Sequence, residues 1–228
     1  MNNLVDPVKV LICGDHNVGK TSIARRLGNM KFPNLYSPTS GLNDLEFQAE
    51  LKHNATIQIS VLDVGADVFI QQGSGYISLL CMDVDGVIIV VDGSSSDVMS
   101  DAHNWVELIA KVTNSHTKIC LVVHKADCLS AQTLGELDQM QNWIKRAEIE
   151  SWALTVGHQD LGDLVLSRGF SMQQKAPADV LRSLVLNILL KRQSNFCKLL
   201  PVPFKIEFQK WTTYDYEDLD RYLSSASR

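Results

Sequence analysis

This chain has fewer positively charged than negatively charged side chains. Its 228 residues include 21 lysines and arginines against 26 aspartates and glutamates, for a formal net charge of -5. A nucleic-acid-binding domain needs a basic surface to attract a phosphate backbone, so we expect no nucleic-acid partner. Long apolar runs are also missing, since none reaches the about 20 residues that a membrane-spanning helix needs. Hydrophobic residues still make up 45% of the chain, which is ordinary for a globular core.

Cysteines are few and scattered. The chain has five, and most lie inside apolar runs: Cys13, Cys81, Cys120, Cys128 and Cys197. Their odd number and spacing fit neither a disulfide framework nor a zinc site, so we expect reduced thiols in a cytosol-like compartment. Residues 1–7 lack the apolar stretch of a signal peptide, and no cysteine stands among the last residues. We therefore expect neither secretion nor a prenyl anchor.

A glycine-rich segment at residues 14–21 is the most informative feature that is present. It reads Gly, four residues, then Gly19, Lys20 and Thr21, and it follows an apolar run at residues 8–13 and precedes a helical pattern at residues 22–27. Between a strand and a helix, such a loop can wrap its N–H groups around a polyphosphate, while the lysine adds charge and the threonine hydroxyl can bind Mg²⁺. The candidate phosphate-binding residues are Asn17, Val18, Gly19, Lys20, Thr21 and Ser22.

Hydrophobic periodicity predicts the fold around this loop. Residues 45–51 and 57–61 alternate apolar and polar side chains and predict a hairpin. Continuous apolar runs at residues 86–92 and 119–123 predict central parallel strands. The pattern also predicts helices at residues 102–112, 134–147 and 178–190, and a last strand at residues 152–156. The alternation predicts an α/β phosphate-loop domain with a mostly parallel sheet, one antiparallel hairpin strand and helices on both faces.

The character of the sequence changes after Arg192. We assign residues 1–192 to the nucleotide-binding domain and residues 193–228 to a C-terminal extension, in which residues 205–208 could form a short strand. Phe204, Phe208 and Trp211 make this extension too apolar for a wholly free tail.

Asp63 is a second candidate for the metal. It ends the second hairpin strand and is followed by Val64 and Gly65. A carboxylate at that strand end can hold Mg²⁺ through a water, opposite Thr21.

Two further segments resemble motifs of small GTPases. His124, Lys125, Ala126 and Asp127 follow the fourth apolar strand and resemble the Asn-Lys-x-Asp motif that reads guanine. Residues 36–41 resemble the first switch of Ras-like GTPases, in which a threonine, here Thr39, binds Mg²⁺ when the γ-phosphate is present. Because all the motifs occur in the family's order, the chain resembles a Ras-superfamily GTPase. The resemblance implies GTP or GDP with Mg²⁺, metal binding by Thr21, Thr39 and Asp63, and nucleotide binding by Gly65, Lys125 and Asp127.

A narrower resemblance is to the Rab-like small GTPase subunit of the intraflagellar transport B complex. It rests on residues 36–39 and 45–47, on Asp67 after the second-switch glycine position, and on the lack of a C-terminal lipid site. Beyond about Leu129 little of the sequence can be aligned with that family. It implies coiled-coil subunits of that complex as partners, a role in cilium or flagellum assembly, and a location in the cytoplasm and the cilium or flagellum. For the docking face we expect a surface spanning Tyr36, Leu42 and Phe69.

Departures from the Ras pattern bear on hydrolysis and on base recognition. Asp67 replaces the glutamine that orients the attacking water, Ala66 replaces a glycine, and His16 fills a loop position that is usually small. We assign no catalytic residue and expect very slow or absent GTP hydrolysis. His124 replaces the motif asparagine and could donate one hydrogen bond to the base or brace the phosphate loop.

The leading hypothesis for the function is a switch whose output is binding. The alternatives are a cycling Ras- or Rab-type GTPase in vesicle trafficking and a nucleotide-independent scaffold.

Overall fold

The fold is taken from a computed structural model. It describes residues 4–28, 30, 37–71, 73–125, 128, 135–136, 139, 143, 150–153, 177–192, 204–215, 218 and 221.

Seven strands form one sheet in the described part of the chain. They are β1 (Leu4–Gly14), β2 (Leu42–Glu50), β3 (Thr56–Val64), β4 (Gly86–Asp92), β5 (Lys118–His124), β6 (Glu150–Ala153) and β7 (Ile206–Tyr214), in the order β6-β5-β4-β1-β3-β2-β7. The strands from β6 to β3 are mutually parallel, whereas β2 runs antiparallel to both β3 and β7. This confirms the predicted α/β architecture with its antiparallel hairpin.

Helices cover both faces of the sheet. The α-helices that the structure describes in full are α1 (Lys20–Leu27), α2 (Ala66–Gln71), α3 (Gly73–Cys81), α4 (Val98–Val112) and α5 (Pro177–Arg192). One core cluster joins α1 and α5 to the sheet, and the other joins α2, α3 and α4 to its opposite face. Strand β4 is buried over almost its whole length, because apolar side chains on both faces of a central parallel strand pack against helices.

Most predicted elements are found, with different ends. The helix predicted at 102–112 begins earlier, at Val98, and the one predicted at 178–190 lies within α5. The last predicted strand is present in part as β6, whereas residues 154–156 and most of the helix predicted at 134–147 lie outside the described residues. Of the helices in the described ranges, none combines the length and apolar character needed to cross a bilayer.

The largest difference from the sequence prediction is β7. Residues 205–208 were predicted as a possible short strand, but β7 has nine residues and pairs with β2 along most of its length. The described part of the extension therefore continues the central sheet. The division at residue 192 stays a prediction.

Candidate nucleotide-binding site

The phosphate loop lies between β1 and α1, at the carboxyl edge of the parallel strands. Asn17 has φ 58° and Gly19 has φ 98°, so the backbone turns through the left-handed region at both positions. Such a concave turn, followed by a helix start, is an anion-binding arrangement. A pocket opens above it, and its lining includes His16, Asn17, Gly19, Lys20, Thr21, Ser22, Arg25, Ser37, Thr39, Gly65, Ala66, His124 and Lys125.

Lys20 points its ammonium group into this loop. Its Nζ donates to the carbonyl oxygens of Gly14 at 3.0 Å and Asp15 at 2.7 Å, and the side chain is buried. Burial lowers the pKa of Lys20, and the nearby Asp63 carboxylate partly offsets that effect. Since an ammonium group has three donors, one remains for an anionic ligand.

Thr21, Thr39 and Asp63 converge beside the lysine. The Thr21 hydroxyl donates to Asp63 Oδ2 at 2.8 Å and lies 2.6 Å from the Thr39 hydroxyl. Because the Thr21 hydrogen goes to Asp63, Thr39 is the donor between the two hydroxyls. Thr21 therefore contacts both of the other residues expected to bind the metal, Thr39 and Asp63, although 42 positions of sequence separate it from Asp63.

Asp63 has one carboxylate oxygen, Oδ1, without a hydrogen-bond partner among the described residues. Asp63 is fully buried, and burial raises its pKa, with the hydrogen bonds from Asn43 and Thr21 acting against that rise. Two hydroxyls and an unmatched carboxylate oxygen are the oxygen donors that Mg²⁺ prefers, so these residues fit the ion. When bound, Mg²⁺ would supply positive charge to the phosphates beside Lys20.

The segment 37–41, here called the Thr39 loop, closes over this site. The Gly65 amide donates to the Gly41 carbonyl at 2.9 Å, and both Thr39 and Gly65 line the pocket. The two segments expected to respond to the γ-phosphate are thus in direct contact. In this arrangement, here called closed, the Thr39 hydroxyl contacts that of Thr21.

His124 braces the phosphate loop, as one of the two sequence interpretations held. Its Nδ1 lies 2.8 Å from the Val18 carbonyl oxygen, and a Cβ added at Gly19 would lie 2.2 Å from the same nitrogen. Since a carbonyl only accepts, Nδ1 carries the hydrogen in this bond. The imidazole therefore holds the loop through its backbone, and the loop needs glycine at position 19 to accommodate it.

Lys125 lines the pocket directly after His124. Its Nζ pairs with Asp92 Oδ2 at 2.5 Å. Burial alone would raise the pKa of Asp92, but hydrogen bonds from Lys125 and Ser94 lower it overall. Asp127 lies outside the described residues, so its role in reading guanine stays a prediction.

Asp67 contacts a partner that the sequence did not suggest. Its Oδ1 lies 3.1 Å from His16 Nε2, so two of the residues that depart from the Ras pattern face each other. The contact joins the phosphate loop to the first turn of α2. A carboxylate directed at His16 is poorly placed to orient a water molecule.

Sequence reasoning missed two supports of the site. Asn43 donates from Nδ2 to Asp63 Oδ2 at 3.0 Å, and Trp105 Nε1 donates to Asp15 Oδ2 at 3.0 Å. The first could have been found by counting outward from the hairpin turn, because that register places Asn43 opposite Asp63. The second joins residues 90 positions apart, and no local pattern indicates it.

The prediction of a docking face at Tyr36, Leu42 and Phe69 is wrong for two of these three residues, because they are buried. Leu42 is 0% exposed, and Phe69 is 7% exposed with its ring 5.1 Å from that of Trp105. Tyr36 lies outside the described residues. Exposed apolar side chains occur instead on or directly after α2 and α3, at Ile70, Leu79 and Met82.

Comparison with known proteins agrees with this geometry. The sequence model of the Ras family matches residues 9–159, more than half of the chain. The chain belongs to the Ras family. Proteins of this family bind guanine nucleotide, usually with Mg²⁺, which agrees with the fit of Lys20, Thr21, Thr39 and Asp63.

Individual relatives are distant. The chain is 25% identical to Ras-related protein Rab-12 of Rattus norvegicus over 190 residues, covering 82% of this chain and 75% of that protein. It is 28% identical to Ras-related protein Rab-5B of Plasmodium falciparum over 120 residues, 53% of this chain and 56% of that protein. Ras-related protein Rab-28 of Caenorhabditis elegans is 27% identical over 123 residues, 53% and 48% of the two chains.

Proposed function

We propose that this Ras-family protein is a guanine-nucleotide switch whose output is binding of a partner. The observation that carries the proposal is the contact between the Thr21 and Thr39 hydroxyls beside Asp63. Because Thr39 touches Thr21, a nucleotide and metal bound at Thr21 would change the position of the Thr39 loop. GTP with Mg²⁺ would then order residues 35–43 and 65–75, and those segments would present the docking surface.

The partner proposed is a coiled-coil subunit of the intraflagellar transport B complex. The support is the sequence resemblance at residues 36–39 and 45–47 and at Asp67. An exposed apolar surface beside a switch segment is the kind of surface that an amphipathic helix covers. Ile70 is 65% exposed and Met82 53% exposed. The proposed location is accordingly the cytoplasm and the cilium or flagellum.

Charging this apolar surface should abolish partner binding. We expect a variant with Ile70→Asp and Met82→Asp to lose capture of the coiled-coil subunits at least about tenfold, because buried unpaired carboxylates are costly at an interface. Leu190→Asp is the matched control, since Leu190 is 43% exposed but lies on α5, on the other face of the sheet. Unchanged capture by the double variant, with GTP binding intact, would contradict this surface.

Hydrolysis without an activator should be slow. Asp67 cannot position water as a neutral amide does, so we expect an intrinsic rate at or below about 10⁻⁴ per second. Asp67→Gln should raise the single-turnover rate, whereas Glu107→Gln, which removes an exposed carboxylate on α4, should not. Wild-type turnover of several GTP molecules per minute would favour the alternative, a cycling GTPase in vesicle trafficking. The similarity to Rab proteins supports that alternative.

The third alternative is a scaffold that needs no nucleotide. Against it, most of the residues expected to hold phosphate and metal line one pocket, and Asp63 contacts that lining through Thr21. Partner capture that is identical with GTP, with GDP and without nucleotide would support that alternative.

A further inference from the structure

We propose that β7 is a working part of the switch: its Trp211 side chain and the chain around Tyr214 position the pocket wall and the Thr39 loop for the γ-phosphate. The inference rests on the proposed guanine-nucleotide switch and extends it to the C-terminal segment. In this view Trp211 is a positioning residue, which acts on the nucleotide through Arg25.

The pairing of β7 brings it to the nucleotide site. Strand β2 follows directly after the Thr39 loop, and β7 pairs with it from Ala49 opposite Ile206 to Leu42 opposite Tyr214. The Phe208 ring packs 5.5 Å from that of Phe47, edge to face. The end of β7 therefore lies beside the beginning of β2, where the Thr39 loop ends.

Trp211 reaches the pocket through Arg25. The Arg25 guanidinium lies 5.6 Å from the centroid of the Trp211 ring, which is cation–π distance. Arg25 belongs to α1 and lines the pocket together with Thr21 and Thr39. Its Nε is buried and lacks a hydrogen-bond partner among the described residues. The indole thus holds a positive charge in the pocket wall, on the side where Mg²⁺ and the γ-phosphate would bind.

The Thr39 loop contacts the end of β7 directly. Gly41 has φ 83°, and a Cβ added there would lie 2.4 Å from the Tyr214 carbonyl oxygen. The same glycine accepts the Gly65 amide through its own carbonyl. Residue 41 is therefore packed between β7 and the second switch segment. Loss of β7 would remove one wall of the closed loop.

A coupling between nucleotide state and β7 follows. GTP binding needs the closed Thr39 loop. If β7 pairing stabilises that closed loop, then β7 raises the affinity for GTP, and bound GTP stabilises β7 pairing by the same factor. GDP lacks the γ-phosphate and has less to gain from the closed loop, so its affinity should depend less on Trp211.

The test uses the full-length chain and two nucleotides, GTPγS and GDP, titrated with saturating Mg²⁺. We expect Trp211→Ala to lower the ratio of GTPγS affinity to GDP affinity about fivefold, the size of one partly desolvated cation–π contact. Trp211→Phe keeps an aromatic face and should retain most of the ratio. Glu207→Ala changes an exposed side chain of the same strand, whose ion pair is with Lys205 of the same segment, and should leave the ratio unchanged.

Hydrogen exchange of the wild-type chain gives a second readout that needs no variant. Backbone amides of β7 should exchange more slowly with GTPγS bound than with GDP bound. Equal losses of both affinities in Trp211→Ala, or equal β7 protection in the two nucleotide states, would overturn the inference and leave the proposed switch standing. Failure of the wild-type chain to bind either nucleotide would instead overturn the proposed function, and this inference with it.

Discussion

Replacing Lys20 by methionine is expected to weaken binding of both GTP and GDP by about 100-fold, which corresponds to one or two charge-assisted hydrogen bonds. Lys20 Nζ lies inside the phosphate loop on the carbonyls of Gly14 and Asp15, so its loss affects phosphates that the two nucleotides share. Fluorescent-nucleotide titration measures both affinities.

Stability separates this effect from unfolding. Burial lowers the pKa of Lys20, which means that its buried charge lowers the stability of the empty site. Methionine at this position should therefore leave the melting temperature of the nucleotide-free protein unchanged or raise it. Lys52→Met, at an exposed lysine in the hairpin turn, should change neither quantity. Full nucleotide affinity in the Lys20 variant would remove the loop from phosphate binding.

Asp63→Asn should separate stability from metal binding most clearly. We expect Mg²⁺ to bind 10- to 100-fold more weakly at the GTP site, about the range for a carboxylate that holds a metal through a water. The nucleotide-free variant should nevertheless melt at a higher temperature than the wild type. Calorimetry with and without Mg²⁺·GTP measures both effects.

The sign of the stability change follows from the pKa of Asp63. Burial raises that pKa in the folded state, so its contribution to stability is present at acidic pH and is lost as pH rises through the folded value. At neutral pH the buried charge destabilises the empty site, and asparagine removes it. Asp83→Asn, at an exposed carboxylate after α3, is the control. An Asp63→Asn variant that melts lower and keeps full Mg²⁺ dependence would contradict the metal assignment.

Local patterns in the sequence predicted the phosphate loop and the hairpin. The loop lies within one strand-turn-helix unit, and the hairpin alternates about a single turn, so neighbouring residues carry the whole signal. The family resemblance implied that Thr21, Thr39 and Asp63 bind one metal ion. Thr21 contacts the other two, and their binding of the metal stays a prediction.

Long-range pairing could not be predicted in the same way. The extension has the apolar residues of a strand, but nothing in residues 205–208 indicates that it pairs with β2, more than 150 positions earlier. Phe69 was expected at the surface because the family resemblance implied a docking face on the switch segments. It is buried because Trp105, on a helix that begins nearly 30 residues later, packs against it.

Competition between nucleotides tests the central claim most directly. Fluorescent GTP bound to the full-length chain with Mg²⁺ is displaced by increasing GTP, GDP or ATP. A guanine-nucleotide switch predicts displacement by GTP and GDP at similar concentrations and no displacement by ATP at about 100-fold excess, the discrimination expected of a site that hydrogen-bonds the base. Displacement by ATP as readily as by GTP, or no binding of fluorescent GTP, would contradict the account.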